Sequence, residues 1–232
     1  MNASFAFQPS NPFSTKCVAP SQVVYRFTHG ASGTSPHTVD SHLEAVLAQL
    51  RTAKRGLILG PHGTGKSTLL HTFLPKLQRS YPKVAFHQLC NDPNIPLRKR
   101  IGERMRASRR IRADLKQLPP QGLIMIDGWE QLSHLSRWRI AKSASSNKLT
   151  ILATAHHRIP GWTTVHETCP SEKLIRSLAG DLLHDSPYEI RKLVDNQLKN
   201  RPVTPKTNVR DLWFELYDMV EDAQANPLKF NA

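Results

Sequence analysis

The sequence predicts a three-layer α/β fold, in which a parallel five-stranded sheet lies between helices and is followed by a small helical C-terminal lid. Short apolar runs such as 123–126 are continuous rather than alternating, which indicates strands buried on both faces of a parallel sheet. Helical stretches separate these runs, and beyond Pro170 the pattern is helical only. We expect the strand order 5-1-4-3-2, because it brings the ends of the third and fourth strands beside the loop that follows the first.

Composition fits a folded protein with one α/β domain of ordinary size and an appended helical piece. The chain has 232 residues, of which 39% are hydrophobic and 22% charged. Its apolar runs are too short to span a bilayer, and no secretory signal precedes them. Three scattered cysteines suggest neither a disulfide framework nor a metal site. We therefore expect a cytoplasmic protein with no membrane partner.

Three parts are predicted along the chain. Residues 1–40 are rich in Ser, Pro, Thr, Asn and Gly and predict an irregular N-terminal arm. A core is expected over 41–170, beginning with a helix over 41–50 that Asp40 or Ser41 would cap. The lid is expected over 171–232, with helices at 171–184, 186–200 and 208–224.

The first strand of the core, 55–59, runs into a glycine-rich loop. Residues 60–67 read G-x-x-x-x-G-K-S, and apolar residues at helical spacing follow. In such a loop, consecutive backbone N–H groups and a helix N-terminus surround phosphate oxygens. An ordinary turn that opens a helix is the alternative, but the Lys-Ser pair and both flanks favour a phosphate loop. The predicted nucleotide-binding residues are Gly60, Pro61, His62, Gly63, Thr64, Gly65, Lys66, Ser67 and Thr68.

Two side chains of this loop have distinct expected roles. Lys66 is predicted to contact the β- and γ-phosphates, and the Ser67 hydroxyl to coordinate Mg²⁺. The motif thus predicts ATP and Mg²⁺ as cofactors.

A second strand over 83–90 and a loop over 91–96 lead into a strongly basic helical segment. Between Arg98 and Lys116 lie nine cationic and two acidic side chains, in a chain whose net charge is +14. Such a segment can attract nucleic acid. The alternative is the solvated face of a helix in a generally basic protein.

The third strand, 123–127, ends in Asp127, at the sheet edge where the phosphate loop also lies. There a carboxylate can bind Mg²⁺ directly or through water, although it could instead cap the following helix, predicted over 129–143. Many ATPases carry a Glu next, but Gly128 occupies that position here. Glu130 is the nearest acid that could activate water, and its alternative role is that of a first-turn acid favoured by the helix dipole.

The fourth strand, 148–155, ends in Thr154, which His156 follows closely. Both would lie beside the γ-phosphate if this strand separates the first from the third, so both are candidate catalytic residues. Either could contact the phosphate by hydrogen bonding, although a histidine at a strand end is often only a surface residue. A weaker fifth strand is predicted over 163–169.

These segments resemble motifs of the additional-strand P-loop ATPases, specifically the AAA+ and STAND-like branch. Residues 127–130 are similar to the Asp-Gly-x-Asp/Glu that follows the Mg²⁺ strand, which makes Glu130 the family's catalytic acid. Residues 154–156 are similar to a Thr-Ser-Arg sensor, with His156 replacing the arginine.

Two more distant segments extend the resemblance over roughly residues 11–222. Residues 11–13 and Tyr25 are similar to an entry segment that lies near the adenine. Residues 208–211 resemble the Asn-x-Arg that opens the last lid helix, which implies that Arg210 is a second sensor and a catalytic residue.

The sequence favours a Mg²⁺-dependent ATPase that acts as a switch or motor on a macromolecular partner, through an unknown protein or through self-assembly. A kinase whose arginines over 98–112 clamp substrate phosphates is the alternative. A nucleic-acid-binding module that uses 98–116 is compatible with the first reading. A GTPase is disfavoured, because Thr150 stands where an Asp would pair with guanine.

Overall fold

The computed structural model describes residues 11–27, 36–89, 96–204 and 207–226. The chain divides into two compact units, which we call the core unit (24–168) and the helical unit (1–23 and 169–232). The core unit contains helices α2 (Pro36–Ala53), α3 (Lys66–Ser80), α4 (Leu97–Gln117) and α5 (His134–Ser146), and strands β1 (Arg55–Leu59), β2 (Val84–Gln88), β3 (Leu123–Asp127), β4 (Thr150–Ala155) and β5 (Thr163–Glu167).

The five strands form one parallel sheet in the order β2-β3-β4-β1-β5. This is the predicted order 5-1-4-3-2 from the opposite edge, so the predicted α/β class and topology are confirmed. β4 pairs with β1 in a register that aligns Leu59 with Ala155. The ends of β1, β3 and β4 therefore lie at the same edge of the sheet.

Burial explains why the central strands read as unbroken apolar runs. Every residue of β3 and β4 is buried. Leu123 and Met125 pack on the face covered by α2 and α3, whereas Ile124 and Ile126 pack on the face covered by α4 and α5. A strand that is covered on both faces is built mostly of apolar residues, because neither face contacts water.

Two elements differ from the sequence prediction by more than a shift of one or two residues at their ends. α2 begins at Pro36, before the predicted start near residue 41. The predicted helix over 129–143 is divided into a 3₁₀ turn, Trp129–Gln131, and α5. Ser133 separates them in an extended conformation and caps α5, because its hydroxyl accepts a hydrogen bond from the Ser136 N–H.

The helical unit has its own apolar core. It contains α1 (Thr15–Val18), α6 (Glu172–Leu182), α7 (Tyr188–Asn200) and α8 (Val209–Ala225). Phe13 is buried against α8 and stacks on Trp213 at a ring distance of 5.5 Å. The Asn11 side-chain amide donates to the Tyr217 carbonyl at 2.9 Å. Within the described residues, no helix combines the length and apolar character needed to cross a bilayer.

Candidate nucleotide site

The loop between β1 and α3 has the backbone geometry that its glycines predict. Gly60 and Gly65 both have positive φ, at +156° and +89°. A Cβ at Gly60 would lie 2.1 Å from Thr168 Oγ1, and one at Gly65 would lie 3.2 Å from the Tyr25 ring. Both positions therefore combine an unusual backbone conformation with a close neighbour, which is why glycine is needed there.

A pair of buried threonines holds the loop against the end of β5. The hydroxyls of Thr64 and Thr168 share a hydrogen bond of 2.6 Å. The Thr168 N–H donates to the Leu59 carbonyl at 2.8 Å, and Thr64 Oγ1 donates to the Pro61 carbonyl at 2.9 Å. The sequence analysis missed Thr168, although its position at the end of the strand beside β1 could have indicated it.

Lys66 opens α3 and is nearly buried, with 8% of the residue exposed. Its ammonium donates to the Gly60 carbonyl at 2.7 Å and to the Pro61 carbonyl at 2.5 Å. It also lies 3.2 Å from His156 Nδ1. The loop thus holds the Lys66 ammonium close to its own backbone. An incoming anion could replace the Gly60 and Pro61 carbonyls as the acceptor of the hydrogen bonds from this ammonium.

Asp127 is fixed at the end of β3 by the neighbouring strand. The Thr154 hydroxyl donates to Asp127 Oδ1 at 2.7 Å and accepts from the Gly128 N–H at 2.8 Å. The Gln88 amide lies 3.4 Å from the other carboxylate oxygen. Asp127 and Thr154 are 7% and 1% exposed, so this is a buried and oriented carboxylate.

Glu130 lies on the 3₁₀ turn after β3 and contacts the residue that follows β4. Its Oε1 is 2.9 Å from His156 Nε2. Its Oε2 is buried and has no hydrogen-bond partner in the described parts of the chain. Arg137 fixes the turn, because its guanidinium donates to the carbonyls of Glu130 and Leu132, each at 2.8 Å. His156 therefore holds the carboxylate through Oε1, and Arg137 holds the backbone of the same residue.

Comparison with solved structures identifies this arrangement at the level of the fold. Domain III of the Thermotoga maritima replication initiation protein DnaA is similar at a TM-score of 0.51 and 13% identity, over 84% of this chain and 88% of that one. A DNA replication initiation factor is similar at 0.51 and 16% identity, over 84% and 64%. A mutant of Thermotoga maritima RuvB is similar at 0.50 and 14% identity, over 82% and 63%.

The chain has the α/β P-loop NTPase fold of these solved structures. The chain spans less than two thirds of the RuvB chain and of the replication initiation factor. No protein-family model and no curated protein sequence matches it.

On this fold, most of the predicted site residues come together at one edge of the sheet. The phosphate loop follows β1. Asp127 is the last residue of β3, and Glu130 lies on the turn after it. Thr154 lies at the end of β4, and His156 directly follows that strand. Arg210 belongs to the helical unit, where its N–H donates to Asn208 Oδ1 at 3.1 Å in the first turn of α8. Its role as a second sensor stays a prediction.

The protonation of His156 follows from its neighbours. Burial lowers its pKa from the ordinary 6.5, the Lys66 charge lowers it further, and the Gly60 carbonyl and Glu130 partly oppose both effects. The ring is thus neutral near pH 7. Nδ1 lies 3.0 Å from the Gly60 carbonyl oxygen and 3.2 Å from Lys66 Nζ. With its proton on Nε2 the ring donates to the Glu130 carboxylate, and Nδ1 can then accept from Lys66. The other tautomer would turn a lone pair toward the carboxylate.

Replacing Thr154 with valine should destabilise the core unit by about 1–3 kcal/mol, because a near-isosteric side chain leaves two buried partners unpaired. These partners are Asp127 Oδ1 and the Gly128 N–H. Urea unfolding would measure the loss, with Thr154→Ser, which keeps the hydroxyl, as the control. Equal stability of the valine and serine variants would show that this hydroxyl does not hold Asp127.

Proposed function

We propose that this protein binds ATP with Mg²⁺ and hydrolyses the γ-phosphate bond, and that its nucleotide state acts as a switch or motor on a macromolecular partner. The observation that supports this most strongly is the meeting of Lys66, Asp127 and Glu130 at one sheet edge. A phosphate-binding cation, a metal-binding carboxylate and a base are the three groups that such a reaction requires.

The residues present fit both ATP and its metal ion. The loop combines backbone N–H groups at a helix N-terminus with the ammonium of Lys66, a residue that is only 8% exposed, which suits phosphate oxygens. Asp127 and the Ser67 hydroxyl are oxygen ligands of the kind that Mg²⁺ prefers. When bound, Mg²⁺ supplies positive charge that neutralises the phosphate oxygens as the bond breaks.

Glu130 has the arrangement expected of a general base. His156 contacts Oε1, and the side chain is one-third exposed, so the carboxylate can accept a proton from the attacking water. The hydrogen bonds from Arg137 keep the turn rigid, so the carboxylate does not need to be reoriented at the moment of reaction. As the water oxygen forms a bond to the γ-phosphorus, the bond from that phosphorus to the leaving oxygen of ADP breaks, and Glu130 takes the proton that the water loses.

His156 supports the switch part of the proposal, because it touches both Lys66 and Glu130. Triphosphate binding would draw the ammonium toward phosphate oxygens and weaken its contact with Nδ1. The imidazole, which also contacts Glu130, is therefore sensitive to the occupancy of the loop. This gives a physical path from phosphate binding to the position of the base.

The test is phosphate release by purified protein with ATP and Mg²⁺, in the absence of any other acceptor. Release that needs Mg²⁺ and no acceptor supports hydrolysis. Release of ADP only when a small-molecule acceptor is added would favour the kinase alternative, in which arginines of 98–112 hold substrate phosphates. Tight nucleotide binding without turnover would contradict the proposed hydrolysis but would be compatible with a role as a nucleotide-dependent switch.

A nucleic-acid partner is the second candidate, and it is supported by the exposed cations of α4. Arg98, Lys99, Arg106, Arg109 and Lys116 all have exposed side chains. Phosphates attract such cations at long range. An unidentified protein or another copy of this chain remains the partner if nucleic acid does not bind.

This candidate predicts a strong salt dependence of nucleic-acid binding. With four or five phosphates neutralised, the log–log slope should be roughly −4 for duplex and about −3 for a single strand. Replacing Arg106, Arg109 and Arg110 with alanine should flatten the slope by roughly 2–3, because each lost contact removes about 0.7–0.9. The measurement is fluorescence anisotropy of labelled oligonucleotides over a salt series.

The matched control removes three exposed cations elsewhere, at Arg191, Lys192 and Lys199 of α7. This control should leave the slope unchanged. Equal flattening by both triple variants would mean that only net charge matters. A loss of ATP affinity in the α4 variant would instead favour the kinase alternative.

A further inference from the structure

The outer face of α4 is unusually rich in positive charge for a helix of the core unit. Its first buried residue among the described side chains is Ser108, so the N-terminal half of the helix is largely exposed. Glu103 is the one exposed carboxylate among the described side chains of α4, since Asp114 is half-buried and pairs with His87. Ile101 and Met105 are exposed between the cations, at 48% and 55%.

α5 carries an aromatic and cationic outer face. Trp138 is 58% exposed and Leu135 is 55% exposed, whereas large apolar side chains are normally buried. Lys142 lies over the indole, with Nζ 5.1 Å from the ring centroid. Arg139 and Lys142 are both exposed, and α5 contains no acidic residue. The exposed indole of Trp138 is thus surrounded by positively charged side chains.

Both helices belong to the same layer of the fold. Ile111 and Leu115 of α4 pack in one apolar cluster with Ile140 and Ala144 of α5, against the same face of the sheet. α4 connects β2 to β3 and α5 connects β3 to β4, and all three strands are parallel. The two helices therefore run in the same direction, and their outer faces are exposed on the same side.

One hydrogen bond fixes their relative level. The Asn147 side chain, at the end of α5, donates to the Leu115 carbonyl of α4 at 3.2 Å. Counting back about nine residues, or roughly 13 Å along each helix, reaches Trp138 on α5 and Arg106 on α4. Packed helices lie about 8–10 Å apart, so the indole is at the level of the middle of the basic stripe.

We propose that this α4/α5 face, made of the exposed residues of the two helices, binds single-stranded nucleic acid. Cations along α4 contact successive phosphates, and a base stacks on Trp138 in place of the Lys142 ammonium. Stacking needs the face of a base, which a single strand offers and a duplex keeps inside its stack. The proposal rests on the nucleic-acid partner described under Proposed function and specifies its form.

The charge pattern favours this occupant over two others. A membrane surface would also attract cations, but a membrane-binding helix needs a broad apolar face. Among the described side chains, α4 exposes two large apolar residues, Ile101 and Met105, and α5 exposes Leu135 and Trp138. An acidic protein would satisfy the cations without a need for an exposed indole among them. A nucleic acid strand uses both the cations and the aromatic ring.

The experiment compares Trp138→Leu with Trp138→Tyr by anisotropy, using a roughly 20-nucleotide oligo-dT, the corresponding oligo-rU and a duplex of equal length. Loss of stacking should weaken oligo-dT binding about tenfold or more in the leucine variant, from about 1–3 kcal/mol per stacked base. Tyrosine should retain most of the affinity. The salt slope should stay unchanged in both variants, because no phosphate contact is removed. Comparison of the affinities for oligo-dT and oligo-rU shows whether single-stranded DNA or RNA is preferred.

Two controls separate this inference from the ATPase proposal. Tyr188→Leu removes an aromatic residue of α7 that is 65% exposed and should leave binding unchanged. Mg²⁺-dependent ATP turnover without nucleic acid should be the same in Trp138→Leu and the parent. Equal weakening of duplex and single-strand binding, no effect of Trp138→Leu, or preferential binding to anionic phosphatidylserine vesicles would each overturn the single-strand inference. None of these outcomes alters the test of hydrolysis.

Discussion

Lys66→Ala should reduce ATP binding or turnover by about 100-fold or more, because it removes the ammonium held within the phosphate loop. In the wild-type chain this ammonium is bonded to the carbonyls of Gly60 and Pro61, and the residue is 8% exposed. Its charge therefore acts in a site with little water, where its attraction to phosphate is strong. Titration with a fluorescent ATP analogue and phosphate release would measure the two quantities.

Lys76→Ala is the matched control for this variant. Lys76 lies on the same helix, α3, but it is partly exposed and pairs with Asp40. Its replacement should leave ATP binding and turnover within about twofold of the parent, because a surface ion pair contributes little. If Lys66→Ala behaved like Lys76→Ala in both assays, the assignment of residues 60–67 to ATP would be wrong.

Glu130→Gln should retain ATP binding and lower turnover by about 10²–10⁴-fold, the usual contribution of a general base. The amide keeps a carbonyl oxygen that can accept from His156 Nε2 and is close in shape to the carboxylate, so the site geometry is preserved. What it loses is the ability to take a proton from water. Single-turnover phosphate release, measured beside nucleotide affinity, separates these two effects.

Glu103→Gln provides the control, because Glu103 is an exposed acid on α4. It should change neither affinity nor turnover. Unchanged turnover in Glu130→Gln would return this residue to the role of a first-turn acid. A parallel fall in affinity and turnover would show that the carboxylate contributes mainly to holding the nucleotide.

Much of the fold could be predicted because its signals are local. The runs 123–127 and 150–155 are buried at every position, and their mostly apolar residues are what a two-sided environment in a parallel sheet requires. The phosphate loop is a contiguous motif whose glycines have the positive φ that its shape requires. The sheet order also followed, because Asp127 and Thr154 had to lie beside that loop.

The boundaries around Glu130 were less accessible. Sequence spacing predicts one helix over 129–143, but Ser133 interrupts it and starts α5 separately. The short turn is held by Arg137, whose guanidinium donates to the carbonyl of Glu130 within the turn and to that of Leu132 just after it. Hydrogen bonds from a side chain to nearby backbone carbonyls leave no periodic pattern in the sequence, so this turn could not be predicted.

The sequence alone determined the strands, their order and the chemical types at the site, since these depend on contiguous motifs and on burial patterns within each segment. Only the tertiary structure decided that Thr168 holds Thr64, that His156 contacts both Lys66 and Glu130, and that Trp138 lies at the level of the basic stripe of α4. These are contacts between residues far apart in the chain. They follow from strand pairing and helix packing, which bring together side chains whose separation in sequence carries no signal.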